Sequence, residues 1–263
     1  MNHFAAIRSL ALVAAVMILA TPDVGTAGNP PRGVPAAKLA LPQPQPRELR
    51  VLFLGNSLTS THELPGLVQR IAATSGVKVH AVSVAPGGFS LEDHWNDGRG
   101  RRLLAAGRWD FLVLQQGPSS LPESQVNLRL WAKRWADEAR HHGTTPALYM
   151  VWPFQHQKDG FELVSQSYRL AAQASGSRIF PAGEFWWDIQ RRDPKVSLYQ
   201  SDGLHPTLVG SITAAMVITH GLIAMQPHAG QALDKLPPQL QAALRQAWAR
   251  QLKLQADVQK RAR

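Results

Sequence analysis

Short apolar runs alternate with longer segments of helical periodicity from residue 49 onward, and this alternation limits the folds open to the chain. The run Leu49–Leu54 (LRVLFL) is almost continuously apolar, which is typical of a strand buried on both faces of a parallel sheet. Further strands are predicted at 77–84, 110–115, 146–152 and 178–182, and helices at 63–75, 126–142, 161–174 and 206–224. We therefore expect an α/β fold, a three-layer α/β/α sandwich around a mostly parallel five-stranded sheet.

The first 27 residues have the pattern of a secretory signal peptide. Arg8 supplies a positive n-region, and the apolar run Leu10–Ala20 is too short to span a membrane as a helix. Gly25-Thr26-Ala27 fits the small-x-small rule for cleavage after residue 27. We expect an exported protein, periplasmic or secreted, without a transmembrane segment after cleavage; an uncleaved N-terminal anchor is the alternative.

Composition divides the rest of the chain into three parts. Residues 28–47 are rich in proline and lack apolar periodicity, which favours an extended leader outside the fold. Residues 48–230 carry the strand–helix alternation and form the predicted α/β domain. Residues 231–263 are predicted to contain an amphipathic C-terminal helix and a basic tail.

Charge and cysteine content exclude several classes of function. The chain has no cysteine, so neither a disulfide framework nor a thiolate metal site is expected. The net charge is +10, but the basic residues are scattered without interleaved aromatics, so we do not predict nucleic-acid binding. Attraction to anionic envelope polymers and an ordinary solvated surface are both compatible with this charge. His62-Glu63 is not followed by a second histidine at zincin spacing, and no metal or other cofactor is predicted.

A candidate nucleophile follows the first strand. The segment Gly55-Asn56-Ser57-Leu58-Thr59 joins that strand to a helix, and its glycine permits a sharp turn. Ser57 would then sit at a strand end, where ligands bind in open α/β sheets and where nearby amides can stabilise an oxyanion. A simple helix cap is the alternative for a serine at this place.

A candidate base lies near the other end of the domain. Asp202 and His205 are three residues apart in Ser201-Asp202-Gly203-Leu204-His205-Pro206, directly before the last long helix. On a turn, the carboxylate can orient the imidazole, which can then deprotonate a serine and later protonate a leaving group. A capping aspartate beside a packed histidine is the alternative.

Together these segments resemble the ordered motif blocks of the SGNH/GDSL hydrolase superfamily, and the resemblance covers roughly residues 49–225. Gly-Asn-Ser-Leu-Thr at 55–59 is similar to the first block, and 202–206 (Asp-Gly-Leu-His-Pro) is similar to the last block, Asp-x-x-His. The resemblance implies a flavodoxin-like fold and a triad of Ser57, Asp202 and His205. It also implies an oxyanion hole formed by the N–H groups of Ser57 and of Gly87 or Gly88 in the second block.

Two features depart from the family pattern. Asn56 replaces the usual aspartate of the first block. The usual Gly-x-Asn-Asp of the third block is absent, and the chain has Gln115-Gln116 at that place. A glutamine amide has the same donor group as asparagine on a longer arm, so Gln116 or Gln115 could complete the oxyanion hole. Buried structural glutamines are the alternative.

Three side chains are candidates for contact with the substrate: Asn56, Trp152 at the end of the fourth strand, and His94 in a predicted polar loop. Aromatic rings beside an ester site would suit stacking on a sugar, although core packing explains tryptophans equally well. We expect an esterase that removes acetyl or another short acyl group from a carbohydrate or envelope glycan. A non-catalytic glycan-binding protein on the same fold and an acyltransferase are the alternatives. The sequence does not indicate the oligomeric state.

Overall fold

The computed structural model describes residues 47–157 and 160–223, together with the single positions Arg245 and Ala249. The predicted signal peptide at 1–27 lies outside the described residues. So do residues 28–46 of the predicted leader and, apart from the two single positions, the C-terminal helix and tail at 231–263.

The described strands form one parallel sheet in the order β2-β1-β3-β4-β5. β1 lies beside β2 and β3, which explains its almost continuous apolar sequence. The strands are β1 (Arg47–Leu54), β2 (Val77–Val84), β3 (Phe111–Leu114), β4 (Thr145–Tyr149) and β5 (Arg178–Phe180). The predicted α/β class and five-stranded parallel sheet are confirmed.

Helices connect the strands and cover the sheet. Right-handed crossovers place the β1–β2 connection on the opposite face from the connections that lead to β4 and β5, because the chain moves from β1 to β2 in one direction and from β2 onward in the other. The helices are α1 (Ser57–Ser60), α2 (Leu64–Ala73), α3 (Leu91–Asp97), α4 (Arg99–Ala106), α5 (Pro122–His141), α6 (Gly160–Ser175), α7 (Ala182–Arg192) and α8 (Leu208–Ile223). None of the described helices is long and apolar enough to cross a membrane.

Sequence periodicity did not predict α3, α4 or α7. Helices α3 and α4 span only seven and eight residues, which is too short for a clear periodic signal. A local signal for α3 did exist, because Ser90 and Asp93 form a capping box. The predicted polar loop after the second block is therefore wrong in part: residues 91–97 are helical.

An aromatic block fills the core beside the carboxyl end of β4. The rings of Trp152 and Trp186 stack with centroids 3.4 Å apart and planes 6° apart. Tyr199 meets Trp186 edge-on, and its hydroxyl donates to the Pro153 carbonyl at 2.9 Å. Both tryptophans are fully buried. The block thus joins β4, α7 and the segment that precedes α8.

The start of α7 approaches the end of β4 so closely that position 183 has no room for a side chain. The Gly183 amide donates to the Met150 carbonyl at 3.1 Å, and a Cβ at 183 would lie 2.0 Å from the Val151 carbonyl oxygen. We expect Gly183→Ala to lower the free energy of unfolding by about 3 kcal/mol, because backbone must move.

Gly66→Ala in α2 is the matched control. A Cβ there would approach nothing closer than the end of the flexible Arg70 side chain, at 3.4 Å. The greater helix propensity of alanine should raise stability by up to ~1 kcal/mol. Denaturant unfolding of both variants measures the difference, and equal stability of the two would contradict the packing argument.

Candidate active site

The turn between β1 and α1 presents Ser57 at the carboxyl end of the sheet. Asn56 caps α1, and its Oδ1 accepts the Leu58 N–H at 3.1 Å. Position 55 must be glycine, because a Cβ there would lie 2.2 Å from Thr59 Oγ1. Ser57 is partly exposed, and its backbone N–H has no acceptor within the described ranges.

Ser57, His205 and Asp202 form one hydrogen-bonded chain. His205 Nε2 lies 2.9 Å from Ser57 Oγ, and His205 Nδ1 lies 2.5 Å from Asp202 Oδ2. Because a carboxylate oxygen only accepts, the proton of the neutral ring is assigned to Nδ1, and Nε2 is left to accept the serine hydroxyl. The structure therefore brings together the three side chains predicted from the two distant motifs.

The local backbone stabilises the charged form of Asp202. Its Oδ1 accepts the N–H groups of Leu204 and His205, each at 2.9 Å. The hydrogen bond from the Leu204 N–H, followed by those from the His205 ring and the His205 N–H, lowers the pKa of Asp202 to about 2. The carboxylate thus stays ionised over the whole range in which a histidine ordinarily titrates.

Residues that follow β4 bind the turn 202–205, which contains Asp202 and His205. The Trp152 indole N–H donates to the Leu204 carbonyl at 3.0 Å, and the Gln155 N–H donates to the Gly203 carbonyl at 2.8 Å. Pro206 pairs with Tyr199 in an antiparallel bridge instead of beginning the helix, so α8 starts at Leu208. The predicted substrate contact of Trp152 is contradicted, because its side chain is fully buried and positions this turn.

Gly87 and Gly88 lie in an exposed turn after β2. The turn is closed by a hydrogen bond from the Phe89 N–H to the Pro86 carbonyl at 3.4 Å, and Gly88 has a φ of +76°, which favours glycine. Neither glycine N–H has an acceptor within residues 47–157 and 160–223. Their role as oxyanion donors, which the resemblance implies, stays a prediction.

The two glutamines of the altered third block are buried and bind other parts of the site. Gln115 Oε1 accepts the Asn56 N–H and the Thr59 hydroxyl, and its Nε2 donates to Asn56 Oδ1 and to the Gln116 carbonyl. With both amide hydrogens used, Gln115 does not serve as the predicted oxyanion donor. Gln116 accepts the Leu91 N–H and donates to Ser119 Oγ.

Asn56 and His94, both predicted to contact substrate, support the nucleophile turn instead. Asn56 is buried, and its Nδ2 donates to the Phe89 carbonyl at 3.1 Å. His94 is fully buried in α3, where its Nε2 contacts the Gly55 carbonyl oxygen at 2.7 Å. The predicted position of His94 in a surface loop is wrong, because α3 packs over the turn. Among the described side chains, no group of three His, Asp or Glu could hold a metal ion.

Solved structures similar to this chain belong to the SGNH/GDSL hydrolases and related esterases. A protein of Slackia heliotrinireducens assigned to the SGNH hydrolases is 26% identical over 67% of this chain and 100% of its own, with a TM-score of 0.58. A DUF4886 family protein from Bacteroides uniformis is 18% identical over 76% of this chain and 93% of its own, with a TM-score of 0.64.

An acetyl xylan esterase, AlAXEase, is 14% identical over 66% of this chain and 100% of its own, with a TM-score of 0.54. No protein-family model matches the sequence, and no curated protein sequence matches it. The chain therefore has the SGNH hydrolase fold, with low sequence identity to its structural neighbours.

Burial of His94 predicts a specific dependence of stability on pH. Desolvation lowers the pKa of His94, and its Nδ1 has no hydrogen-bond partner within the described part of the chain. The unfolded chain therefore binds a proton that the folded chain does not. Above the unfolded-state pKa of ~6.5, both states are neutral at this residue and the free energy of unfolding is not reduced. As the pH falls from there through the folded-state pKa, protonation of the unfolded chain lowers the free energy of unfolding.

We expect His94→Gln to reduce the loss of stability on acidification, by up to ~1.4 kcal/mol per pH unit below pH ~6.5. A glutamine amide can still donate to the Gly55 carbonyl but does not titrate. Urea unfolding of both proteins between pH 8 and pH 5 measures the two slopes. If the free energy of unfolding falls equally steeply with pH in both proteins, protonation of His94 is not the cause of the loss.

Proposed function

We propose that this chain, which has the SGNH hydrolase fold, is an exported serine esterase that forms an acyl-enzyme on Ser57. The observation that carries the proposal is the hydrogen-bonded chain from Ser57 through His205 to Asp202. A protein that only binds its ligand has no need of a nucleophile, a base and an orienting carboxylate in this arrangement.

The geometry supports acylation in a defined order. His205 Nε2 removes the proton from Ser57 Oγ as that oxygen attacks the ester carbonyl. Negative charge develops on the carbonyl oxygen, which the free N–H groups of Ser57 and of Gly87 or Gly88 can stabilise. His205 then returns its proton to the alcohol oxygen as the C–O bond breaks, and the acyl group remains on Ser57.

Deacylation repeats the same steps with water. His205 removes a proton from a water molecule, the resulting hydroxide attacks the acyl carbonyl, and the proton passes back to Ser57 Oγ. Asp202 stays ionised throughout and stabilises the imidazolium that forms twice per cycle. Its low pKa suits this role, because the carboxylate remains negatively charged whenever the imidazole is neutral.

For the substrate, we propose a short-chain or acetyl ester of a carbohydrate or envelope glycan. Support comes from acetyl xylan esterases among the structural neighbours. Phe89 and Phe154, which follow the second block and β4, are partly exposed and could contact a sugar ring. The signal-like residues 1–27 support export to a compartment that contains such glycans.

Replacing the nucleophile tests the proposed function. We expect Ser57→Ala to lower kcat/KM for p-nitrophenyl acetate by at least 10³-fold, because the acyl-enzyme can no longer form. Ser60→Ala, an exposed serine in the same short helix, should retain wild-type activity. Mass spectrometry after treatment with a serine-directed fluorophosphonate should locate the adduct on Ser57.

Equal activity of the wild type and Ser57→Ala would show that Ser57 is not the nucleophile. If the wild type neither turns over the ester nor forms the adduct, a glycan-binding role on the same fold replaces the proposal. Product analysis with a sugar acceptor present separates acyl transfer from hydrolysis, since both pass through the same acyl-enzyme.

Removing the orienting charge should slow the same reaction without removing the nucleophile. We expect Asp202→Asn to lower kcat by about 10³- to 10⁴-fold, because an amide no longer fixes the Nδ1–H tautomer or stabilises the imidazolium. Steady-state kinetics measures the loss, and an unchanged kcat would exclude Asp202 from the catalytic chain.

A further inference from the structure

We propose that Gln115 is a positioning residue that acts through Asn56 to fix Ser57 relative to the Gly87–Gly88 turn. The glutamine takes the place of the usual third block but does not donate to the oxyanion. This inference rests on the proposed function, because it assigns a role within the same reaction. It also explains together the two departures of this sequence from the family pattern.

The Gln115 side chain makes three hydrogen bonds to the turn that carries Ser57 and one to the neighbouring Gln116. Its Oε1 lies 2.9 Å from the Asn56 amide nitrogen and 2.7 Å from Thr59 Oγ1. Its Nε2 lies 2.9 Å from Asn56 Oδ1 and 2.7 Å from the Gln116 carbonyl oxygen. Only 1% of the residue is exposed, so substrate cannot reach the amide.

Asn56 passes this constraint to the second block. Its Oδ1 accepts from Gln115 and from the Leu58 N–H, and its Nδ2 donates to the Phe89 carbonyl at 3.1 Å. The Phe89 N–H in turn closes the turn that contains Gly87 and Gly88. One amide side chain thus connects the segment that bears Ser57 to the turn that bears the other oxyanion donors.

The link to Phe89 requires an amide at position 56. A carboxylate could accept the same two hydrogen bonds at Oδ1, but its second oxygen would face the Phe89 carbonyl with no hydrogen to donate. Two acceptors in contact repel each other, and a buried acceptor without a donor is costly. Aspartate at this position would therefore loosen the turn in this chain.

Gln116 secures the downstream end of the same turn. Its Oε1 accepts the N–H of Leu91, the first residue of α3, at 3.2 Å, and its Nε2 donates to Ser119 Oγ at 3.0 Å. The fully buried Tyr168 donates its hydroxyl to the Gln116 carbonyl at 2.6 Å. The segment that follows Gly88 is therefore held at two points, at Phe89 by Asn56 and at Leu91 by Gln116, and Asn56 is the one adjacent to Ser57 in the sequence.

Oxyanion stabilisation depends on where the donors lie relative to the attacked carbonyl. Donors that are displaced by less than an ångström still bind the ground-state ester but stabilise the transition state less. Loss of the Gln115–Asn56 link should therefore lower kcat and leave KM almost unchanged. A general loss of structure would instead lower the fraction of folded enzyme or alter both constants.

The first variant that tests this inference is Asn56→Asp, which is isosteric and keeps both hydrogen bonds to Oδ1. We expect kcat for p-nitrophenyl acetate to fall 10- to 100-fold, with KM within twofold of the wild type, in an enzyme that is still fully folded at the assay temperature although its thermal unfolding midpoint is lower. Asn96→Asp on the exposed surface of α3 is the matched control and should retain wild-type constants.

The second variant is Gln115→Glu, which places an ionisable group in the link. When protonated, the introduced carboxyl can donate one hydrogen bond; when ionised, it has no donor for Asn56 Oδ1 or for the Gln116 carbonyl. The ratio of variant to wild-type kcat should therefore decrease at least fivefold as the pH rises from 5 to 8. Gln173→Glu on the exposed face of α6 is the matched control, and its ratio should not change.

The outcomes separate this inference from the proposed function. If the wild type shows Ser57-dependent turnover but both variants match its kcat at every pH, the positioning role is wrong and the esterase assignment stands. A kcat ratio for Gln115→Glu that is low but independent of pH also overturns the inference, because it indicates a structural defect alone. A wild type without Ser57-dependent turnover overturns both.

Discussion

The turn from β1 into α1 is the constraint on which the candidate site depends, because it carries backbone polar groups into the interior of the molecule. The buried groups of Gly55 and Asn56 all have partners, whereas the N–H of the partly exposed Ser57 does not. The Gly55 N–H donates to the Val84 carbonyl, the Gly55 carbonyl accepts from His94, and the Asn56 N–H donates to Gln115. A buried peptide group without a partner would destabilise the turn, so side chains from α3 and the end of β3 are needed to form it.

The base is supported by a separate structure on the other side of the site. The stacked indoles of Trp152 and Trp186 form a rigid apolar surface at the end of β4, and the Trp152 N–H binds the Leu204 carbonyl beside His205. The polar support of Ser57 and the aromatic support of His205 meet at the hydrogen bond between these two residues. The geometry of the candidate triad therefore depends on two different sets of contacts, one of buried amides and one of stacked aromatic rings.

Features with a local or periodic cause could be predicted from the sequence. The apolar runs located all five described strands, and β2 has the predicted bounds, 77–84, because its ends coincide with changes in hydrophobicity. The start of α8 was misplaced by two residues, since Pro206 pairs with Tyr199, a contact that no local pattern reveals. His94 was placed in a loop because α3 is too short and polar for its periodicity to be visible.

By itself, the sequence determined the α/β class, the strand order along the chain and the identity of the residues that could perform nucleophilic catalysis, because these follow from local hydrophobicity and from short motifs. Only the tertiary structure decided the roles of the polar and aromatic side chains around them. An amide such as Gln115 has the same donors and acceptors wherever it lies, and an indole such as Trp152 can face either solvent or core. Which partner each one meets depends on residues distant in the chain, here Asn56 and Leu204, that the parallel sheet and its crossovers bring to the same edge.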